Sequence, residues 1–165
     1  MASTVVFRKE IQGDSTLITI QGAIDESVIL KGVLDAGSRR IAVDLSGVTR
    51  INSCGIREWM SAVEAIPAGQ EVEFIRVSRP MVKQFNQVAG FGGRGRVVSF
   101  FAPYYCSGCD LEESILLSIP DHRDELLADA APEFRCENCG ERLSFDDLEE
   151  RYFGFIERQE AVAQG

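Results

Sequence analysis

The stretch AVDLSGVTRINSCGIREWM, residues 42–60, starts as a strand, turns, and restarts as an amphipathic helix. Residues 41–45 (IAVDL) are a short apolar run without alternation, the pattern of a strand covered on at least one face. Beyond the polar turn, Ile56, Trp59, Met60, Val63 and Ile66 recur at intervals of three and four, which predicts a helix over about 53–66. Its start falls at Asn52-Ser53-Cys54-Gly55. The first N–H groups of a helix lack intrahelical partners, and the helix dipole favours negative charge there. Such a position suits a phosphate, a thiolate or a partner's carboxylate. Read from the residues alone, Ser53 is an N-cap, a role worth about 1 kcal/mol. Cys54 reads as a small buried side chain, with a redox-sensing thiolate as the alternative.

Upstream of this stretch, residues 4–11 and 16–21 alternate on either side of Gly13-Asp14-Ser15, the signature of a β-hairpin. Val28, Ile29, Val33 and Leu34 are spaced for one face of a helix that Gly37 would stop. Downstream, residues 72–77 (VEFIRV) read as a strand. Pro80 suits the first turn of a helix with Met81, Val82, Phe85 and Val88 on one face. Residues 90–95 (GFGGRG) follow a helix and precede a strand, the reverse of a phosphate-binding loop, and are expected to be a flexible connector. Residues 97–101 close the region. The order is ββαβαβαβ, an α/β arrangement.

The chain has 165 residues, enough for one well-cored domain or a domain of about 100 residues plus a small module. No apolar run approaches the roughly 18 residues of a membrane helix. The opening MASTVVFRKEIQ alternates and is charged early, unlike a signal peptide, so a cytoplasmic protein is expected. The net charge of −9 is unevenly spread: residues 1–103 hold 12 Lys/Arg against 10 Asp/Glu, and residues 104–165 hold 5 against 16. So acidic a second part argues against phosphate-backbone binding and for a solvated surface, or for recognition of a basic partner.

Two stretches carry a family resemblance. VDLSGVTRINSCGIREWM (43–60) resembles the strand, turn and phosphorylation-site helix of the STAS domain, the fold of bacterial anti-sigma factor antagonists. RPMVKQFNQVAGF (79–91) is similar to that family's stretch before its last strand. The resemblance covers residues 4–103 and implies a mixed sheet covered by helices. It also implies that Ser53 is a phosphoacceptor for an anti-sigma kinase, within a switch region of Asn52, Cys54 and Gly55. The unphosphorylated form would bind its partner, and phosphorylation would end the binding by adding about −1.5 to −2 charge. The family's motif runs Asp-Ser-Ser-Gly or Asp-Ser-Thr-Gly, so Asn52 and Cys54 are departures from it.

After Tyr105 the composition changes. Cys106-Ser-Gly-Cys109 and Cys136-Glu-Asn-Cys139 are two CxxC knuckles separated by 26 residues. Each brings two thiolates to one ion from a tight turn, and two knuckles complete a tetrahedron. Residues 104–143 are therefore expected to form a zinc-ribbon-like module with a closed structural site, rubredoxin-type iron being the alternative metal. A cytoplasmic address argues against disulfides, and four thiolates leave no open position for catalysis. Residues 114–119 read as a strand, residues 121–129 as a helical turn, and the lone histidine, His122, as exposed and polar.

Ser144 with Asp147 resembles a capping box opening a helix to about Arg158, with Leu148, Tyr152, Phe155 and Ile156 on one face. Because STAS domains end with a helix, residues 144–158 are expected to pack on the first domain, making the metal module an insertion. No paired carboxylates or histidine-based triad speak for an enzyme. Two functions remain in view: a regulatory protein–protein interaction module switched at Ser53, or an unswitched adaptor contacting partners through its acidic metal module. The expected partner is an anti-sigma kinase or another signalling protein, with neither nucleic acid nor membrane involved and a homodimer left open.

Overall fold

The computed structural model describes residues 5–164, so Thr4, the expected start of the first strand and domain, lies outside them. Alternation either side of a tight turn produces the antiparallel hairpin of β1 (Val6–Gln12) and β2 (Ser15–Ile24). In the first part of β2 every second residue is buried, Thr16, Ile18 and Ile20, and beyond the irregular register at Gly22 Ala23 and Ile24 are both buried. The apolar run of the deciding stretch becomes β3 (Arg40–Ile51), parallel to β2, with Ile41, Val43, Leu45 and Val48 in the core. There follow α1 (Ser53–Glu64), β4 (Glu71–Ile75), α2 (Arg79–Gln87) and β5 (Arg96–Val97). The five strands form one mixed sheet in the order β1-β2-β3-β4-β5, parallel from β2 onward.

The helix expected around residues 28–34 is absent; turns occupy the segment. Gly32 sits in its middle at φ +79°, outside the helical region, and Val28, Val33 and Asp35 donate to carbonyls three residues back. The buried residues are Val28, Leu30 and Leu34, whereas Ile29 is 77% exposed. The observed order is therefore ββ followed directly by β3. The glycine-rich run 90–95 is no loose connector either. Phe91 is buried against Trp59 at a ring separation of 5.4 Å, and Trp59 Nε1 donates to the Phe91 carbonyl at 2.8 Å.

The strand expected at 97–101 is longer and bent. β5 and β6 (Ser99–Cys106) are separated by Val98 alone, whose N–H donates to the Phe74 carbonyl. Val77 and Phe101 continue this pairing, Val77 donating to Ser99 and Phe101 to Val77. From Ser99 to Cys106 β6 belongs to a second sheet, and it runs unbroken through residues 103 and 104, where a domain boundary is expected from the sequence. That sheet has the order β7-β6-β8, both β7 (Leu111–Ser118) and β8 (Ser144–Phe145) antiparallel to β6. Between β7 and β8 lies α3 (Arg123–Leu127), and the chain closes with α4 (Glu149–Gln164).

α4 buries Tyr152, Phe153, Phe155 and Ile156. Phe155 lies 6.1 Å from Phe85 of α2 and 5.3 Å from Phe100 of β6, while Phe153 lies 5.0 Å from Phe145 of β8. Polar side chains complete the seam. Asn86 donates to the carbonyls of Val82 and Tyr152 and accepts from the Phe155 N–H. Gln159 accepts from the Val97 N–H at 2.6 Å and donates to the Val97 carbonyl at 2.9 Å. Leu148 is 66% exposed rather than on the buried face. Ser144 pairs within the second sheet instead of capping; Asp147 accepts from the Leu148 N–H beside the helix start.

Candidate functional site

The four cysteines sit at the tips of two hairpins. Cys106 ends β6 directly opposite Leu111, so its knuckle is the β6–β7 turn. The second tip is closed by the Arg135–Arg142 bridge, the Cys136 N–H donating to the Glu141 carbonyl and the Gly140 N–H to the Cys136 carbonyl. Together these turns bring the Sγ atoms of Cys106, Cys109, Cys136 and Cys139 within 4.8 Å of one another. Cys106 and Cys139 approach to 3.4 Å, Cys109 and Cys136 to 3.8 Å. Tetrahedral thiolate ligation at about 2.3 Å requires sulfurs about 3.8 Å apart, so the residues fit a metal ion.

The surroundings serve the same geometry. A Cβ on Gly108 would stand 3.0 Å from Cys139 Sγ and 2.9 Å from the Glu141 side chain, so the close approach of the tips requires glycine there. Asn138 Nδ2 donates to Cys109 Sγ at 3.1 Å, orienting it from outside the tetrahedron. Tyr105 donates to Asp110 across the first turn, which raises the tyrosine's pKa. At Cys139 the Glu141 N–H favours the thiolate, but the neighbouring sulfurs of Cys106, Cys109 and Cys136, with some burial, outweigh it and push the thiol up to about 12. A cation at the centre of the four sulfurs supplies the positive charge that favours the Cys139 thiolate. Among the described residues no fifth His, Cys, Asp or Glu joins the four. His122 lies elsewhere, half-buried rather than exposed, stacked edge-on to Phe134 with Nδ1 3.5 Å from Glu125.

The start of α1 forms the second candidate. Asn52, not Ser53, is the N-cap: its Oδ1 accepts from the Gly55 N–H at 2.9 Å. Ser53 is the first helical residue, exposed, and its hydroxyl makes no hydrogen bond among the described residues. Asn52 Nδ2 donates to Glu26 Oε2 at 2.7 Å, so a carboxylate lies beside position 53 although residue 52 carries none. Glu26's own backbone N–H and then Asn52 hold its pKa below the usual carboxylate value. Ser27 does the same for Asp25, which also pairs with Arg50. Cys54 is half-buried, not buried, and accepts from Arg57 at 3.2 Å.

Gly55 seats this turn on β2. A Cβ there would stand 2.1 Å from the Ile24 carbonyl oxygen, a backbone atom that cannot swing aside. The same carbonyl accepts the Asn52 N–H at 3.2 Å. Gly55→Ala is expected to lose about 3 kcal/mol, the upper end of ordinary overpacking. In a domain of this size that is a fall of roughly 6–12 °C in Tm, measurable by circular dichroism. A melt within 2 °C of wild type would show that α1 can lift from β2 without penalty.

Among known proteins, no protein-family model matches the chain and no curated protein matches it. No helix of the described residues is long and apolar enough to cross a membrane.

Proposed function

We propose that the protein is a non-catalytic regulatory module resembling an anti-sigma factor antagonist, with Ser53 as phosphoacceptor. The observation that carries this is the exposed, uncommitted hydroxyl of Ser53 at the first position of α1, left free because Asn52 does the capping. A phosphate there would meet the favourable end of the helix dipole on one side and the ionised Glu26 and Asp25 on the other. It would compete for the Asn52 amide that Glu26 now holds and change the sign and shape of the surface that a partner reads. On this reading the partner is a kinase or other signalling protein of the cytoplasm. The four cysteines hold a structural zinc ion, and residues 104–143 are an insertion between the STAS-like core and its final helix.

The test is an affinity pull-down with wild type, Ser53→Ala and Ser53→Asp from the native cytosol, with mass spectrometry of residue 53. Wild type and Ser53→Ala should retain a common partner, and Ser53→Asp should lose at least tenfold of it. A partner retained equally by all three, with no phosphate at Ser53, sinks the switch. That outcome favours the second reading, an adaptor whose acidic metal module makes the contacts. It draws support from Leu111 and Leu116, exposed on β7 beside Glu112.

A further inference from the structure

The seam between α2 and α4 opens into a cavity of about 670 Å³, a size suited to a small ligand. Arg79 and Lys83 enter it from successive turns of α2, and Arg151 enters from α4. In a chain of net charge −9, three cations line this one cavity against a single carboxylate, Asp147. Asp147 is taken by Arg151. Neither Arg79 nor Lys83 forms an ion pair or a side-chain hydrogen bond among the described residues. Both are exposed at the mouth.

Two other lining side chains are held in place. Asn86 has both ends of its amide committed to the helix–helix seam, and the Tyr152 hydroxyl donates to the Phe101 carbonyl at 2.5 Å. Burial raises the Tyr152 pKa despite the nearby charge of Arg79, so the phenol stays a neutral wall. Two unpartnered cations and a third from the facing helix, converging on a preformed cleft, focus positive potential there. Guanidinium groups bind carboxylate and phosphate oxygens in bidentate fashion, while the lysine ammonium contributes a point charge.

We infer that the α2–α4 cavity is a binding site for a small polyanion carrying two or more phosphate or carboxylate groups. Such a ligand bridges Arg79 and Lys83 to Arg151, and so joins α2 to α4. This is independent of any role for Ser53.

The test is titration of the intact, metal-loaded protein with pyrophosphate and with citrate, followed by amide chemical shifts, at constant ionic strength set with chloride. At least one of the two should give saturable shifts centred on residues 79–87 and 147–152. Arg79→Ala and Lys83→Ala should each weaken that binding about tenfold, the loss of one charge-assisted contact. Lys31→Ala, an exposed cation elsewhere, should change it less than twofold. Linear, unsaturated shifts with both anions, or equal affinity in all three variants, overturns the site. So does a hexaglutamate peptide that binds more tightly than either small anion, because the cavity would then belong to an acidic partner segment.

Discussion

Deleting residues 148–165 is expected to unfold the protein rather than trim it. α4 carries Tyr152, Phe153, Phe155 and Ile156, none more than 7% exposed. At about 1.5–3 kcal/mol each, their burial contributes roughly 6–12 kcal/mol as an upper estimate. That is comparable to the whole stability of a typical domain, about 5–15 kcal/mol. The truncation also strips Asn86 of its partners on α4 and leaves its polar atoms facing a vacated seam. In a thermal melt followed by near-ultraviolet circular dichroism, the shortened chain should lack a cooperative transition above about 25 °C. Ile156→Ala gives the graded version, a loss of about 2–5 kcal/mol. A truncated chain that melts like wild type would show that α4 is an appendage.

The second large effect is expected from the metal. Structural zinc sites contribute about 10–16 kcal/mol in isolated peptides at neutral pH. The figure here is smaller to the extent that β6, held also by the main sheet, is in place without the ion. Purified protein should carry one metal ion per chain by elemental mass spectrometry. Cys136→Ser, or a strong chelator, should release it and lower the melting temperature by at least 10 °C. Because β6 runs without a break from the contact with β4 to Cys106, loosening of the knuckles should extend to the aromatic seam at Phe100 and Phe153. A protein purified without metal and melting at the same temperature as the chelated form rules out a structural ion.

Much of this was legible in the chain because local chemistry and tertiary context agree. The cysteine spacing needs no context: two CxxC turns aimed at one point leave little else for the thiols to do. The α1 periodicity around Trp59 and Val63 likewise survives because burial and helix propensity coincide there. Where reading failed, a single residue overrode a pattern. Val28, Ile29, Val33 and Leu34 have helical spacing, yet Gly32 between them takes a left-handed conformation and turns Ile29 outward. Ser144-x-x-Asp147 has the letters of a capping box, but β6 claims Ser144 as a strand partner, and pairing partners distant in sequence leave no local trace. The cap expected at Ser53 falls one residue earlier, on Asn52, because the backbone path sets where the helix begins. The α2–α4 cavity was invisible for a different reason. Arg79, Lys83 and Arg151 come from segments about 70 residues apart and share nothing until the seam closes.

The side chain of Gln159 carries one more consequence. Its amide takes both the N–H and the carbonyl of Val97, the positions an incoming strand would occupy beside β5. A primary amide thus imitates one peptide unit and closes that border of the main sheet to β-augmentation. The opposite border, β1, is exposed, and among the described residues no strand pairs beyond it. Any extension of this sheet by another strand, from a second copy or from a different chain, is therefore restricted to the β1 side.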